Sequence, residues 1–239
     1  MQAQLLDLFT TPPSFNNFIA LNNEHIVSIL QEETHQFIHI IGATSSGKTH
    51  LLKAATNQAT KSAIFIRSVD LYPPTSQNNI PYRLSELANH YHYIAIDDID
   101  LLHNEEQIAL FDLFNKIKLN NLDNILLTSS SINLSELSNL RDDLKTRILS
   151  GVNLHLKALA DADLHTALHI FTANEGISLG EIEQNYLINH YTRNIGVLIQ
   201  TIKHVAEAAL LKGRNITIPL IREILTTTAT KSAPTSFIK

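Results

Sequence analysis

The 239-residue chain has no cysteine and no tryptophan, with only 7 glycines, 7 prolines and one methionine. Without cysteine there is neither a disulfide scaffold nor a thiolate zinc site, and a reducing compartment is compatible with the sequence. Surplus positive charge is also missing, since 18 Lys and Arg stand against 23 Asp and Glu for a net charge of −5. DNA-binding domains neutralise phosphates with clustered Lys and Arg, so this balance points away from sequence-specific DNA binding and toward proteins or small anions as partners. No apolar run approaches the ~18 residues of a membrane span, and Met1-Gln2-Ala3-Gln4 lacks the basic start of a signal peptide. A cytoplasmic chain with no membrane partner is expected. Core material is abundant: 44% of residues are hydrophobic and 17% charged, the profile of a globular chain. At ~150 residues per domain, the length suits one full domain plus a small appendage.

The first eleven residues form an apolar-acidic peptide that Pro12-Pro13 separates from the body, because neither proline continues a helix. Five apolar runs follow, at residues 37–41, 63–66, 93–96, 125–128 and 152–156, alternating with helical patterns. Buried strands separated by helices predict a parallel five-stranded sheet with flanking helices. The clearest helix is predicted over 105–119, with Ile108, Phe111, Leu113, Phe114 and Ile117 as the apolar stripe facing the sheet. From about Ala158 strand signals stop and helices are predicted at 161–173, 181–191, 194–211 and 218–227. The expected plan is a tail (1–11), an α/β nucleotide-binding base domain (12–157) and a small all-helical domain (158–239).

The strongest chemical signal is Gly42-Ala43-Thr44-Ser45-Ser46-Gly47-Lys48-Thr49, a complete phosphate-binding loop between a predicted strand and a helix. Its glycines let backbone amides turn toward phosphates, the helix N-terminus adds favourable partial charge, Lys48 reaches the terminal phosphates and Thr49 offers a hydroxyl to Mg²⁺. The implied ligand is ADP or ATP with Mg²⁺. Such a site needs an acid at the end of a neighbouring strand, and the run 93–96 ends in Asp97-Asp98. Asp97 is expected in the Mg²⁺ shell, with Asp98 orienting or deprotonating a water. Alone, the pair would read equally as an Asp-rich turn. Thr128-Ser129-Ser130-Ser131 delivers hydroxyls to the same sheet edge, where Ser130 is a candidate γ-phosphate sensor and a Ser/Thr turn is the alternative.

From position alone, Arg147 is either a solvated residue or a guanidinium presented to a nucleotide on a neighbouring subunit. Arg193 is either solvated or folded back onto this chain's own phosphates. His165 and His169 share a helix face, but Thr166-Ala167-Leu168 between them supplies no glutamate base, which argues against a metal pair.

Together these residues resemble the DnaA-type branch of the AAA+ ATPases, over 14–225. Phe15-Asn16-Asn17-Phe18 looks like the box that opens the family's ATPase domain, which implies that Phe18 lines the adenine pocket. Ile96-Asp97-Asp98-Ile99 is similar to its Walker B motif, Leu144-Lys145-Thr146-Arg147 resembles its arginine-finger box, and Arg193 matches the second sensor of its helical lid. The stretches 109–117 and 217–225 resemble the branch's regulatory inactivators more than its initiators, and the second ends where an initiator would continue into a helix-turn-helix domain.

Gln4-Leu5-Leu6-Asp7-Leu8-Phe9 resembles the hexapeptide by which replication proteins dock on the sliding clamp, the β subunit of DNA polymerase III. In that mode Gln4 enters a polar pocket, while Leu8 and Phe9, with Leu5, supply apolar anchors. The resemblance implies a nucleotide-bound, clamp-tethered regulator, expected to form homo-oligomers, that offers Arg147 in trans to ATP on the DnaA initiator and so prevents re-initiation. The second Walker B acid is Asp where Glu is usual, implying weak or absent intrinsic ATPase activity. A helicase loader of the DnaC type would carry a helicase-binding N-terminal domain and a basic groove, neither of which is evident. A transposition ATPase is disfavoured by the same charge balance.

Overall fold

A computed structural model describes residues 11–71 and 81–231. These divide into two compact units, Pro12–Ala158 and a helical unit from Leu159 onward. The first contains the strands β1 (Phe37–Ile41), β2 (Ala63–Arg67), β3 (Tyr93–Asp97), β4 (Ile125–Ser130) and β5 (Val152–His155). All pairings are parallel, in the order β2-β3-β4-β1-β5. Parallel neighbours cannot be joined by tight turns, so helices make the crossovers: α1 (Glu24–Glu32) precedes the sheet, and α2 (Lys48–Gln58), α3 (Leu87–His90), α4 (Asn104–Leu119) and α5 (Asp142–Leu149) lie between strands.

The period-two alternation of each strand divides the core into two layers. Ile94, Ile96 and Leu126 pack with Leu110, Leu113, Phe114 and Ile117 of α4 and with Leu144 and Ile148 of α5. On the other face Ile38, Ile40, Tyr93, Ala95 and Leu127 pack with Ile26 and Leu30 of α1, Leu51 and Leu52 of α2, and Phe15. Every residue of β3 and β4 is buried, which explains why both read as continuous apolar runs.

Several expectations are adjusted. Ile108 is 40% exposed and is not part of the α4 stripe. Leu110, Leu113, Phe114 and Ile117 follow the i, i+3, i+4, i+7 rule, and Ile108 lies two residues, about 200°, from Leu110. β4 runs two residues past its predicted end, so Thr128, Ser129 and Ser130 are strand residues, not a turn. Residue 156 lies outside β5, although Leu156 N–H still donates to Ile41 O at 2.7 Å. The predicted helix at 161 begins as a 3₁₀ turn, Asp161–Asp163.

The second unit holds α6 (Leu164–Asn174), α7 (Glu181–His190), α8 (Ile195–Lys212) and α9 (Ile218–Lys231). Its interior is built from Leu164, Leu168 and Phe171, Leu187 and Ile188, Leu198, Ile202 and Val205, and Leu220 and Ile221. Asn194 caps α8 by accepting from Val197 N–H at 3.1 Å, and Gly213 ends it at φ 60°, the left-handed conformation that a helix C-terminus favours. Among the described residues no helix is long and apolar enough to cross a membrane.

Candidate nucleotide site

The order of the sheet brings the C-terminal ends of β1, β4 and β3 side by side; β4 and β3 end in polar residues, and β1 runs directly into residues 42–47. This is the edge where open parallel sheets bind ligands. Residues 42–47 leave β1 and enter α2 through Gly47, whose φ of 102° is costly for any side chain. A Cβ there would also lie 2.7 Å from the Phe18 ring. Phe18 is thus seated on the phosphate-binding loop, its ring centroid 5.4 Å from that of His50. The Ser14–Asn17 capping box, which donates from Ser14 N–H to Asn17 Oδ1 at 2.8 Å and from Asn17 N–H to Ser14 Oγ at 3.3 Å, fixes the turn that delivers it.

Within the loop, Ser45 adopts φ 65° and Ser46 N–H donates to Ala43 O at 3.1 Å. Ser46 Oγ is buried without a hydrogen-bond partner among the described residues. Gly42 N–H donates to Ser130 O at 3.2 Å, anchoring the loop's first residue to β4. Lys48 is only 5% exposed; its ammonium donates to Gly42 O at 2.9 Å and lies 3.4 Å from both Ala43 O and Ser131 Oγ. The nearest carboxylate oxygen, of Asp98, is 3.8 Å away. A buried ammonium held chiefly by neutral oxygens is suited to a phosphate.

Asp97, at 1% exposure, is the most enclosed acid of the site. Thr49 Oγ1 donates to its Oδ2 at 2.5 Å and Ser129 Oγ to its Oδ1 at 2.5 Å, while Ser68 Oγ donates to its carbonyl at 2.7 Å. Ser129 Oγ also accepts from Asp98 N–H at 2.9 Å. Asp98 stands in the left-handed region at φ 54°, and its carboxyl is held above the usual carboxylate range by burial and then by the charge of Asp97, with Lys48 opposing. The hydroxyl of Thr49 and the carboxylate of Asp97 form the all-oxygen pair that Mg²⁺ prefers, an ion that keeps waters and shares phosphate oxygens. Among the described residues no cluster of three or more His, Asp or Glu could hold a metal, so a bound ion would rely on this pair and its ligand.

Ser130 does not face this site. Its hydroxyl is fully buried, donating to Ile132 O at 2.7 Å and meeting His39 Nε2 at 3.0 Å. The sensing assignment from sequence is therefore corrected: with the strand extended to Ser130, alternation turns its side chain inward, and Ser131 is the serine within reach of Lys48. Ser129, Ser131, Ser68 and His39 were not singled out from sequence. The detectable signal was a lone His in the apolar run Phe37 to Ile41 and a serine run too long for a turn.

Arg147 lies in the last turn of α5, its guanidinium 5.8 Å from the Phe111 ring centroid. α5 ends at Leu149, and Gly151 just beyond it packs on Phe37 at the start of β1, so Arg147 in the helix's last turn lies toward the N-terminal ends of the strands, away from its own phosphate loop. Arg193 precedes α8 and donates to Asp161 at 2.6 Å, a pair 61% and 63% exposed. Gln4, Leu5, Leu8 and Phe9 lie outside the described residues.

A parallel sheet of this order, with a phosphate loop after β1 and an acid at the end of β3, defines a P-loop nucleotide-binding protein of the AAA+ class. The family model for the bacterial DnaA ATPase domain matches residues 6–155, and that for the Hda lid domain matches 161–225. The chain belongs to the bacterial DnaA ATPase-domain family and carries a lid of the Hda type.

An uncharacterized protein of Haemophilus influenzae is 29% identical over 219 residues, spanning 89% of this chain and 93% of that one. Domain III of the Thermotoga maritima replication initiation protein DnaA has the same fold (TM-score 0.70, 18% identity, 92% of this chain and 96% of that chain). So does AMPPCP-bound DnaA from Aquifex aeolicus, at TM-score 0.65 and 22% identity over 80% of this chain. The match spans 64% of that Aquifex chain.

Proposed function

We propose that this DnaA-related regulatory AAA+ protein binds ADP or ATP with Mg²⁺, docks on the sliding clamp and stimulates hydrolysis of ATP held by the DnaA initiator, restraining re-initiation. The observation that carries this reading is the combination of a DnaA-type ATPase domain at 6–155 with an Hda-type lid at 161–225 in one chain.

In this reading the amides of 42–47 and the Lys48 ammonium bind the phosphates, and Thr49 and Asp97 hold the ion, which would neutralise phosphate charge. Phe18, packed on Gly47, borders the base. Arg193, whose only ion pair among the described residues is exposed, exchanges Asp161 for phosphate. Arg147 serves another molecule's nucleotide, a role supported by its place toward the N-terminal ends of the strands and worth about 10³ to 10⁵ in rate for an arginine finger. Asp98 has a raised carboxyl beside Lys48, which supports its acting on a water only weakly, in keeping with low intrinsic turnover.

The test is reconstitution of initiator ATP hydrolysis with clamp loaded on DNA. The wild-type chain should stimulate hydrolysis. Arg147→Ala should keep its own ADP and clamp affinities and lose the stimulation, and removal of residues 1–11 should abolish clamp capture with ADP binding intact. Normal stimulation by Arg147→Ala refutes the trans mechanism, and clamp capture by the truncated chain refutes the tether.

A further inference from the structure

His39 is the middle residue of β1, in the run Phe37-Ile38-His39-Ile40-Ile41, where alternation places it on the sheet face opposite Ile38 and Ile40. It is almost fully buried, two residues short of the phosphate loop, and no phosphate-binding role requires it. Its two ring nitrogens span to β4: Nδ1 meets Thr128 Oγ1 at 2.8 Å and Nε2 meets Ser130 Oγ at 3.0 Å. Burial, reinforced by the charge of His155 and only partly opposed by the Thr128 backbone, pushes the imidazole down to about 3, so the ring is neutral and has one N–H to give.

The network fixes where that proton sits. Ser130 spends its own proton on Ile132 O at 2.7 Å, so its oxygen must accept from Nε2–H. Nδ1 then carries the lone pair and accepts from Thr128, whose alternative acceptor, Ile38 O, is 3.5 Å away, at the limit of a hydrogen bond. Protons therefore run one way, from Thr128 to His39 to Ser130 to the Ile132 carbonyl.

We infer that His39 is a positioning residue of the nucleotide site, a directional cross-tie that sets the end of β4 against the start of the phosphate loop. The inference rests on the nucleotide-binding reading above. The tied segment carries everything β4 contributes: Ser129 on Asp97, the Ser130 carbonyl that receives Gly42 N–H, and Ser131 beside Lys48. Of the two links, the one to Ser130 is continuous with that segment, whereas Thr128 lies a full alternation behind it.

The two links are separable by substitution. Gln places its amide nitrogen near the Nε2 position and preserves donation to Ser130, whereas Asn places its amide near Nδ1 and preserves only the Thr128 link. His39→Phe fills the space with neither. Titration of the full chain with ADP and Mg²⁺ should give near wild-type affinity for His39→Gln and about tenfold weaker binding for His39→Asn and His39→Phe, the scale of one lost hydrogen bond. A role confined to packing would shift the melting temperature without separating Gln from Asn. Equal ADP affinity in the Gln and Asn variants overturns the inference, and these two decide it if the Phe variant does not fold. A ¹⁵N spectrum of the His39 ring in the wild-type chain should show the neutral Nε2–H tautomer at pH 7; the Nδ1–H tautomer overturns the relay. If the wild-type chain itself fails to bind ADP, the nucleotide reading falls, and the inference with it.

Discussion

Thr49 and Asp97 are joined by a 2.5 Å hydrogen bond between the first turn of α2 and the last residue of β3. The bond closes two elements that the chain separates by 48 positions, and it places a hydroxyl and a carboxylate where one hard cation can take both. Thr49→Val removes the hydroxyl and leaves one oxygen of a buried carboxylate short of a partner. The apo protein should lose about 1 to 3 kcal/mol of stability. ADP affinity should also lose most of its dependence on Mg²⁺, read by titrations with the ion and with EDTA.

Lys48→Ala deletes the buried ammonium that the proposed site offers to phosphate. ADP binding should fall by about a hundredfold or more, because charge-assisted hydrogen bonds to phosphate are the strong ones. Circular dichroism should show the fold retained. Wild-type affinity in a fluorescent ADP titration would remove the loop from the site.

Gly47→Ala meets two obstacles at once, a φ of 102° and the Phe18 ring 2.7 Å from the new methyl. The backbone strain alone costs about 1 to 3 kcal/mol. Gly47→Ala combined with Phe18→Ala should recover part of the stability lost, a coupling that a double-mutant cycle of melting curves would expose. Additive losses would mean that the ring gives way freely.

Acid should weaken the base domain through His39. Its folded pKa is depressed from 6.5 to about 3, so as pH falls below 6.5 the unfolded chain takes up a proton that the folded chain refuses. The contribution is fully present above pH 6.5 and is lost progressively toward pH 3, at about 1.4 kcal/mol per pH unit, or about 2 kcal/mol by pH 5. Denaturant titrations at pH 7.5 and pH 5 should show it, and His39→Gln should flatten that difference.

Arg193→Ala should barely alter folding, since it removes a solvent-exposed pair with Asp161 of the kind worth about 0 to 1 kcal/mol. It should still weaken ADP binding several-fold, by isothermal titration calorimetry. Unchanged ADP affinity would leave Arg193 a surface residue.

The sheet was legible because buried parallel strands carry little besides apolar residues: Tyr93 to Ile96 announces itself, and the glycine-framed loop after β1 marks its own place. α1 and α5 were not legible. Only Ile26 and Leu30 of α1 are buried, and α5 commits just Leu144 and Ile148, too few turns to set a period. In the site, Lys48, Thr49 and the Asp97-Asp98 pair followed from the motifs, and the structure sets Thr49 on Asp97 and Lys48 beside Asp98. The serines did not, because which of Ser129, Ser130 and Ser131 turns inward depends on where β4 ends, and a slip of one residue reverses every side chain. His39 was hidden for the opposite reason. Its polarity is satisfied wholly by Thr128 and Ser130, which sequence proximity does not connect.

The placement of the phosphate loop at one end of the strands and of Arg147 toward the other gives the base domain a polarity. A contact that brings Arg147 to another molecule's loop joins unlike surfaces and cannot be its own mirror, so it is heterologous and does not close on itself as a two-fold pair does. Each such contact leaves this chain's own loop free to receive and the other molecule's far end free to give. An assembly built this way has a head and a tail: it closes into a ring where the rotation between neighbours allows, and otherwise stays open until a neighbour lacks one of the two surfaces.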